Sequence, residues 1–226
     1  MADGVAVSKQ GINAGAQAVA AVVVVGGLLG GAWALGETGQ GSSDRRPAAC
    51  SNTEDEDLPA GYLSGGQLCA ALNRPDLPVL LGTPEESALT ATGGVSWSTP
   101  VGGEKIATPV ARIQLKTYHV KLSASHDRVP VTGVAGLLGG TAQKTTVLGR
   151  PAVLGSERTL SLSVGGGKAW TGSGGIARYV LVAKDARDSG GCFEVVIWRA
   201  DGGLPDDAAL LRTAERVLPT VPGWAG

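Results

Sequence analysis

The stretch Val110-Ala111-Arg112-Ile113-Gln114-Leu115-Lys116-Thr117-Tyr118-His119-Val120-Lys121-Leu122-Ser123-Ala124 decides the fold. Its first part sets Ile113 and Leu115 at odd positions against Arg112, Gln114 and Lys116. Its second part sets Tyr118, Val120, Leu122 and Ala124 at even positions against His119, Lys121 and Ser123. Strand side chains alternate between faces with period two, so one flat strand cannot bury both sets. The change of phase at Lys116-Thr117 predicts a β-bulge or a tight turn there.

Downstream, further strands are predicted at Thr146–Leu148 running into Ala152–Leu154, at Arg158–Val164, Ala177–Lys184 and Phe193–Arg199, with glycine pairs and triplets between them as turns. Upstream, Ser64-Gly65-Gly66-Gln67 has the spacing of a capping box, in which serine bonds the third helical N–H and glutamine reaches back. The helix it opens carries Leu68, Ala71 and Leu72 on one face and stops at Arg74-Pro75, because proline disfavours a helical residue before it. Leu77–Gly82 is a compact apolar connection, and a short helix is expected around Val131–Gly140. A last helix starts at Pro205-Asp206-Asp207, where carboxylates suit the positive end of the dipole, and runs to about Leu218. Its buried stripe is Leu210, Leu211, Ala214, Val217 and Leu218. Strand runs with a helix near each end predict an α+β fold, an antiparallel sheet covered on one face by helices.

This body occupies residues 58–226 of a 226-residue chain, which is room for one globular domain and an appendage. With 17% charged and 43% hydrophobic residues, the composition excludes wholesale disorder and a coiled coil. A net charge of −1 gives no electrostatic reason to bind nucleic acid.

The appendage is apolar. No charge falls between Lys9 and Glu37, and residues 14–35 contain Val19, Val22 to Val25, Leu28, Leu29, Trp33 and Leu35 among alanines and glycines. A helix of this length spans about 33 Å, enough for a hydrocarbon core of roughly 30 Å. The expected organisation is a short tail at 1–13, a transmembrane helix at 14–35, a polar acidic stalk at 36–57 and an extracytoplasmic domain at 58–226. Two readings compete: a signal peptide, for which Ala32-Trp33-Ala34 supplies a small-x-small cleavage pattern, and a buried soluble helix, against which no polar stripe interrupts the run. Lys9 on one side and Arg45 and Arg46 on the other leave the positive-inside count undecided. Within the span, Gly26, Gly27, Gly30 and Gly31 form two overlapping G-x-x-x-G pairs on one helix face, the spacing through which two spans associate into a homodimer in lipid.

Cysteine usage favours the outside of the cell. Pairing Cys50 with Cys69 closes a loop of about 20 residues, worth roughly 3 kcal/mol in the chain-entropy model, and leaves Cys192 as a free thiol. The alternative is three unrelated thiols. Neither C-x-x-C nor a Cys/His cluster of zinc spacing occurs, and the acidic run Glu54-Asp55-Glu56-Asp57 lacks the glycine-containing loop of a calcium site.

Other chemical motifs are weak. Gly172-Ser173-Gly174-Gly175-Ile176-Ala177 fits G-x-G-x-x-A, but a strand pattern follows it where a dinucleotide site needs a helix. Gly165-Gly166-Gly167-Lys168 is followed by Ala169 where a phosphate loop needs serine or threonine. Both are read as loops. His119 and His126 are seven residues apart, which puts them on opposite faces of any regular strand. No catalytic, cofactor-binding or metal-ligating residue is assigned, and no cofactor is expected.

Ser64–Pro78, Val120–Ser125, Thr146–Val153 and Val217–Trp224, together with the apolar N-terminus, resemble an uncharacterised family of single-pass membrane-anchored proteins from filamentous actinomycetes. The resemblance implies an envelope-exposed protein and carries no catalytic residue over. The expectation is a membrane-anchored extracytoplasmic module that binds an envelope protein or ligand. The alternative is a hydrolase or transferase acting on envelope material.

Overall fold

Lys116 and Thr117 make the tight turn that the change of phase requires, joining β3 (Ile106–Gln114) to β4 (Tyr118–Ser125) with Ile113 opposite Val120 and Arg112 opposite Lys121. The computed structural model describes residues 48–52, 58–99, 105–137, 142–165 and 168–224. The eight strands are β1 (Ser51–Asn52), β2 (Thr90–Ser98), β3, β4, β5 (Gln143–Val147), β6 (Arg150–Gly165), β7 (Lys168–Ala183) and β8 (Cys192–Arg199). They form one sheet in the order β1-β2-β3-β4-β8-β7-β6-β5. The β1–β2 pair is parallel and every other pair antiparallel, so the sheet is mixed, with two meanders joined where β4 meets β8.

Among the described residues four helices pack around it: α1 (Gly65–Leu72), α2 (Leu77–Leu80), α3 (Val131–Leu137) and α4 (Asp207–Val217). The capping box at α1 is complete: the Gln67 N–H donates to Ser64 Oγ at 3.1 Å and the Ser64 N–H to Gln67 Oε1 at 2.8 Å. Asp206 caps α4 by accepting from the N–H groups of Ala208 and Ala209. The α1 backbone lies directly on β2, where a Cβ on Gly65 would overlap Gly94 and one on Gly93 would overlap Gly65. Glycine is required there by close approach.

The main core lies between the sheet and α1, α2 and α4. Leu68, Leu72, Leu77, Leu210, Val217 and Leu218 meet Ile113, Val120, Leu122, Val180, Val195 and Ile197, all at most 1% exposed. The expectation that helices cover one face needs correction. Helix α3 packs on the opposite face, where Val131, Val134 and Ala135 meet Val153, Tyr179, Leu181 and Val196. The neighbours of those sheet residues in sequence, Leu154, Val180, Val182 and Val195, belong to the main core, so the two clusters are the two faces of the same strands. Asp188 fixes α3 to the β7–β8 loop by accepting from the Val131 and Thr132 N–H groups at 2.7 and 2.9 Å.

Two further differences concern glycine. The six residues Gly172–Ala177 lie inside β7, and Thr90–Ser98, which shows no clear alternation, is strand β2. Among the described residues no helix is long and apolar enough to cross a membrane, and the span at 14–35 lies outside them. Of the tract read as a stalk, residues 48–52 are joined to the domain. The Ala48 N–H donates to Ala88 O, Ala48 O accepts from Asn73 Nδ2 at 2.7 Å, and β1 pairs with β2.

Candidate functional site

The sheet face that carries α3 is polar over its centre. Register defines its rows. Arg112, Lys121, Val196, Tyr179 and Gly155 lie opposite one another across β3, β4, β8, β7 and β6. On one side of this row lie Ser123, Glu194 and Leu181, and on the other His119, Trp198, Ala177 and Glu157. Alternation dictates the grouping, because the intervening residues of each strand are the ones committed to the main core.

Three of these polar groups satisfy each other. Glu194 Oε2 accepts from Lys121 Nζ at 2.9 Å and from Ser123 Oγ at 2.8 Å, and the lysine and glutamate side chains are only 8% and 12% exposed. Among the described residues, three others have no hydrogen-bond partner, the Arg112 guanidinium, the Glu157 carboxyl and the Tyr179 hydroxyl, and of these only Arg112 Nε is sealed from solvent. The electrostatics follow from this. Burial holds the Arg112 guanidinium below its ordinary range, opposed by the Glu194 charge. Burial, reinforced by Glu194 and opposed by Lys121, pushes the Glu157 carboxyl up to about 7. Burial together with Glu157 and Glu194 raises the Tyr179 phenol. The phenol rests over Gly155, the one position in its row where a Cβ would overlap it. His119 and Trp198 stack in parallel with centroids 5.1 Å apart. Arg112, His119, Glu157, Glu194 and Trp198 are only partly buried, so the face is open to solvent in part.

The other singled-out residues do not build a reaction centre. Cys50 and Cys69 form the expected disulfide, and Cys192 is a free thiol. Burial and nearby carboxylates, Asp127 first among them, push that thiol far up. His126 stacks on Tyr62 with centroids 3.7 Å apart, and burial beside Lys184 depresses it to about 4. A thiol held protonated is not a primed nucleophile, and His126 is occupied by its stack on Tyr62. Gly165 and Lys168 face each other at the end of the β6–β7 hairpin. Gly26, Gly27, Gly30 and Gly31, and the acidic run Glu54–Asp57, lie outside the described residues, among which no three His, Cys, Asp or Glu side chains cluster as a metal site. A shallow cleft of about 440 Å³ runs between α1 and the C-terminal segment, lined in part by Ala70, Pro75, Thr220 and Pro222. Its charges are already used: Arg74 bonds Asp76 at 2.7 Å and donates to Arg216 O at 2.8 Å.

Sequence reasoning does not single out Arg112, Lys121, Ser123, Glu157, Tyr179 and Glu194 as a set. Each occupies a polar slot of an alternating strand, the pattern of an ordinary solvent-facing position. The one available signal is the density of charge at those slots in β3 and β4, where Arg112 and Lys121 are like charges directly opposite each other.

These features define an α+β protein with a mixed eight-stranded sheet, apolar on the face under α1 and α4 and polar at the centre of the other. The chain belongs to a family of unknown function (DUF6215), whose model matches residues 9–141. That match contains Arg112, Lys121 and Ser123 and ends before Glu157, Tyr179 and Glu194. No curated protein and no solved structure matches the chain.

Proposed function

We propose that this protein is a membrane-anchored, extracytoplasmic binding module. The observation that carries the binding role is the sheet face on which Arg112, Glu157 and Tyr179 stand unpartnered around a satisfied Lys121–Glu194–Ser123 centre. A buried polar atom left unpaired costs about 1–3 kcal/mol, and Arg112 Nε is such an atom on a partly open face, which supports a face kept for a ligand. The Cys50–Cys69 disulfide supports an oxidising compartment outside the cytoplasm. The uncharged run at 14–35 supports anchoring in the bilayer, with Gly26, Gly27, Gly30 and Gly31 as the seam of a homodimer. The resemblance to anchored actinomycete proteins agrees with this reading.

Mild crosslinking in membranes followed by pull-down tests it directly. The expected result is an envelope protein or ligand captured by the parent chain and lost from the Arg112→Met variant, with the domain removed by protease added to intact, wall-stripped cells. Protection of the whole chain would reverse the topology, and a soluble product starting after Ala34 would make the segment a cleaved signal.

One observation favours a second reading, a hydrolase or transferase acting on envelope material. Glu157 is a carboxyl pushed up to about 7 beside a second carboxylate, Glu194, which is how a general acid is prepared. Against it, Glu194 is held by Lys121 and Ser123 and is not free to act as nucleophile or base. Turnover of envelope glycan that Glu157→Gln abolishes, with binding intact, would establish the enzyme.

A further inference from the structure

We propose that the end of the sheet from which the β6–β7 ribbon projects is a lipid-facing surface, and that the ribbon seats on anionic headgroups. The inference rests on the membrane-anchored reading and adds to it a second contact with the bilayer. Among the described residues, β8 pairs with β7 only over Ala177–Ala183, and β5 pairs with β6 only as far as Leu154. Beyond them Arg158–Gly165 and Lys168–Ile176 pair with each other alone, a two-stranded ribbon about 25 Å long. Two strands by themselves are marginal in water and gain from a surface to lie on.

The composition of the ribbon names the surface. From Arg158 to Ala177 the chain carries two basic residues, Arg158 and Lys168, and no carboxylate. Leu160, Leu162 and Val164 occupy alternate positions and share one face by register, and Trp170 stands in the third pair from the end of the ladder. Basic residues beside tryptophan and aliphatic residues match the interface of an anionic bilayer, where charge attracts and apolar groups insert.

Position supplies an independent argument. Thr90, Gln114, His119, Trp198, Ala177 and Glu157 form one row across the sheet, and the ribbon begins just beyond it. Ala48, through which the N-terminal segment enters the domain, lies beyond the same row, because β1 runs parallel to β2 and the Ala48 N–H donates to Ala88 O. The twelve residues 36–47 reach at most about 40 Å, so a span at 14–35 tethers this end of the domain close to the bilayer. Leu89, Leu160 and Ile176 flank the row, Leu204 lies in the loop after β8 that brings Gly202 against Gly175, and all four are exposed. A lipid surface at this end covers apolar side chains that the fold leaves bare.

The full chain reconstituted into vesicles of phosphatidylcholine, alone or mixed equally with phosphatidylglycerol, tests the inference. In a Cys192→Ala background, a solvent-sensitive fluorophore is attached at Thr171→Cys, an exposed ribbon position, or at Leu148→Cys, in the turn at the opposite end of the sheet. Lipid-borne nitroxide should quench the Thr171 label in the mixed vesicles and spare the Leu148 label. Arg158→Gln together with Lys168→Gln should weaken that contact about tenfold, since each basic residue adds to the attraction of an anionic surface. In the unmodified chain, tryptic cleavage after Lys168 should be about tenfold slower in the mixed vesicles than in phosphatidylcholine. Equal quenching at the two positions, or quenching at Thr171 that survives loss of both charges, overturns the proposal. Self-quenching between Thr171 labels without nitroxide quenching also overturns it and assigns the ribbon to a second copy. Flotation after an alkaline wash reads the anchor separately. Chains that stay in both vesicle types with the Thr171 label unquenched keep the anchor and lose this contact. Chains that float, without the wash, only with mixed vesicles and are released by removing the two charges keep the contact and lose the anchor.

Discussion

The two faces of the sheet are built from the same strands and solve opposite problems. Under α1 and α4, Leu122, Val195 and Ile197 are fully buried among apolar side chains, and area removed from water there stabilises the fold at about 25 cal/mol per Å². One residue along each strand, Lys121, Glu194 and Trp198 belong to a face where charge is buried, partly paired and partly left open. The first face stabilises by exclusion of water. The second leaves a polar atom, Arg112 Nε, that no described residue satisfies, at a cost in stability. Among the described residues, helix α3 covers the β5–β7 end of the second face and reaches Val196 on β8.

The largest effect that would sharpen this contrast is truncation on the apolar face. Leu122→Ala should cost about 2–5 kcal/mol in denaturant unfolding, through lost transfer energy and the cavity left behind. Its counterpart in the same strand pair, Arg112→Met, should cost nothing or stabilise. Equal losses at the two positions would erase the distinction.

The disulfide ties the segment preceding β1 to α1 on the apolar side. Replacing Cys50 and Cys69 together by serine should lower stability by about 3 kcal/mol, since a loop of about 20 residues regains its freedom in the unfolded chain. Unreduced peptide mapping should show that bond with Cys192 free, and a link to Cys192 would require a different approach of β8 to α1.

On the polar face the informative variable is pH. The Glu157 carboxyl is raised from 4.5 to about 7 on folding, so the folded state binds the proton more tightly than the unfolded chain. Its contribution is fully present below pH 4.5 and is lost as pH rises through 7. His126, depressed to about 4, gains stability as pH rises over part of the same window, so the Glu157 contribution is read from the difference between the parent and Glu157→Gln. From pH 4.5 to 7 that difference should move against the parent by on the order of 1–2 kcal/mol, allowing for the partial exposure of the group. A difference that does not change with pH would move the titration to another group.

The smallest effect belongs to a site on neither face. The β5–β6 turn places Leu148 at φ 52° and Gly149 at φ 78°, the signs of a type I′ turn, with the leucine 47% exposed. Leu148→Asn should stabilise by about 0.5–1 kcal/mol in the same unfolding assay, because asparagine tolerates the left-handed region better. A loss would mean that the exposed leucine is held by packing.

Legibility in the sequence followed the range of the interaction. Ser64 and Gln67, Asp206 and the N–H groups it caps, Lys116 and Thr117, and Cys50 and Cys69 are near neighbours along the chain, and their chemistry could be read there. Strand β2 and the glycine-rich part of β7 could not. Gly93, Gly94, Gly172, Gly174 and Gly175 have little strand preference of their own and become strand because a partner pairs with them and, at Gly93 and Gly94, because α1 sits on them.

The amino-acid sequence by itself determined the local pieces: where each capped helix begins, that the chain must turn at Lys116-Thr117, and which face of β4 is apolar. Only the tertiary structure decided that the opposite face is also partly buried, because α3 is a short helix whose docking depends on Asp188, more than fifty residues further along the chain. The tertiary structure also decided that Arg112, Lys121, Glu157, Tyr179 and Glu194 share one face of the sheet and that Lys121 meets Glu194. Their polar slots are identical in sequence to solvent-facing ones, and what separates the two is the order of strands, with β8 placed between β4 and β7. That order is set by burying the main core as a whole, a sum over distant contacts that no local window contains.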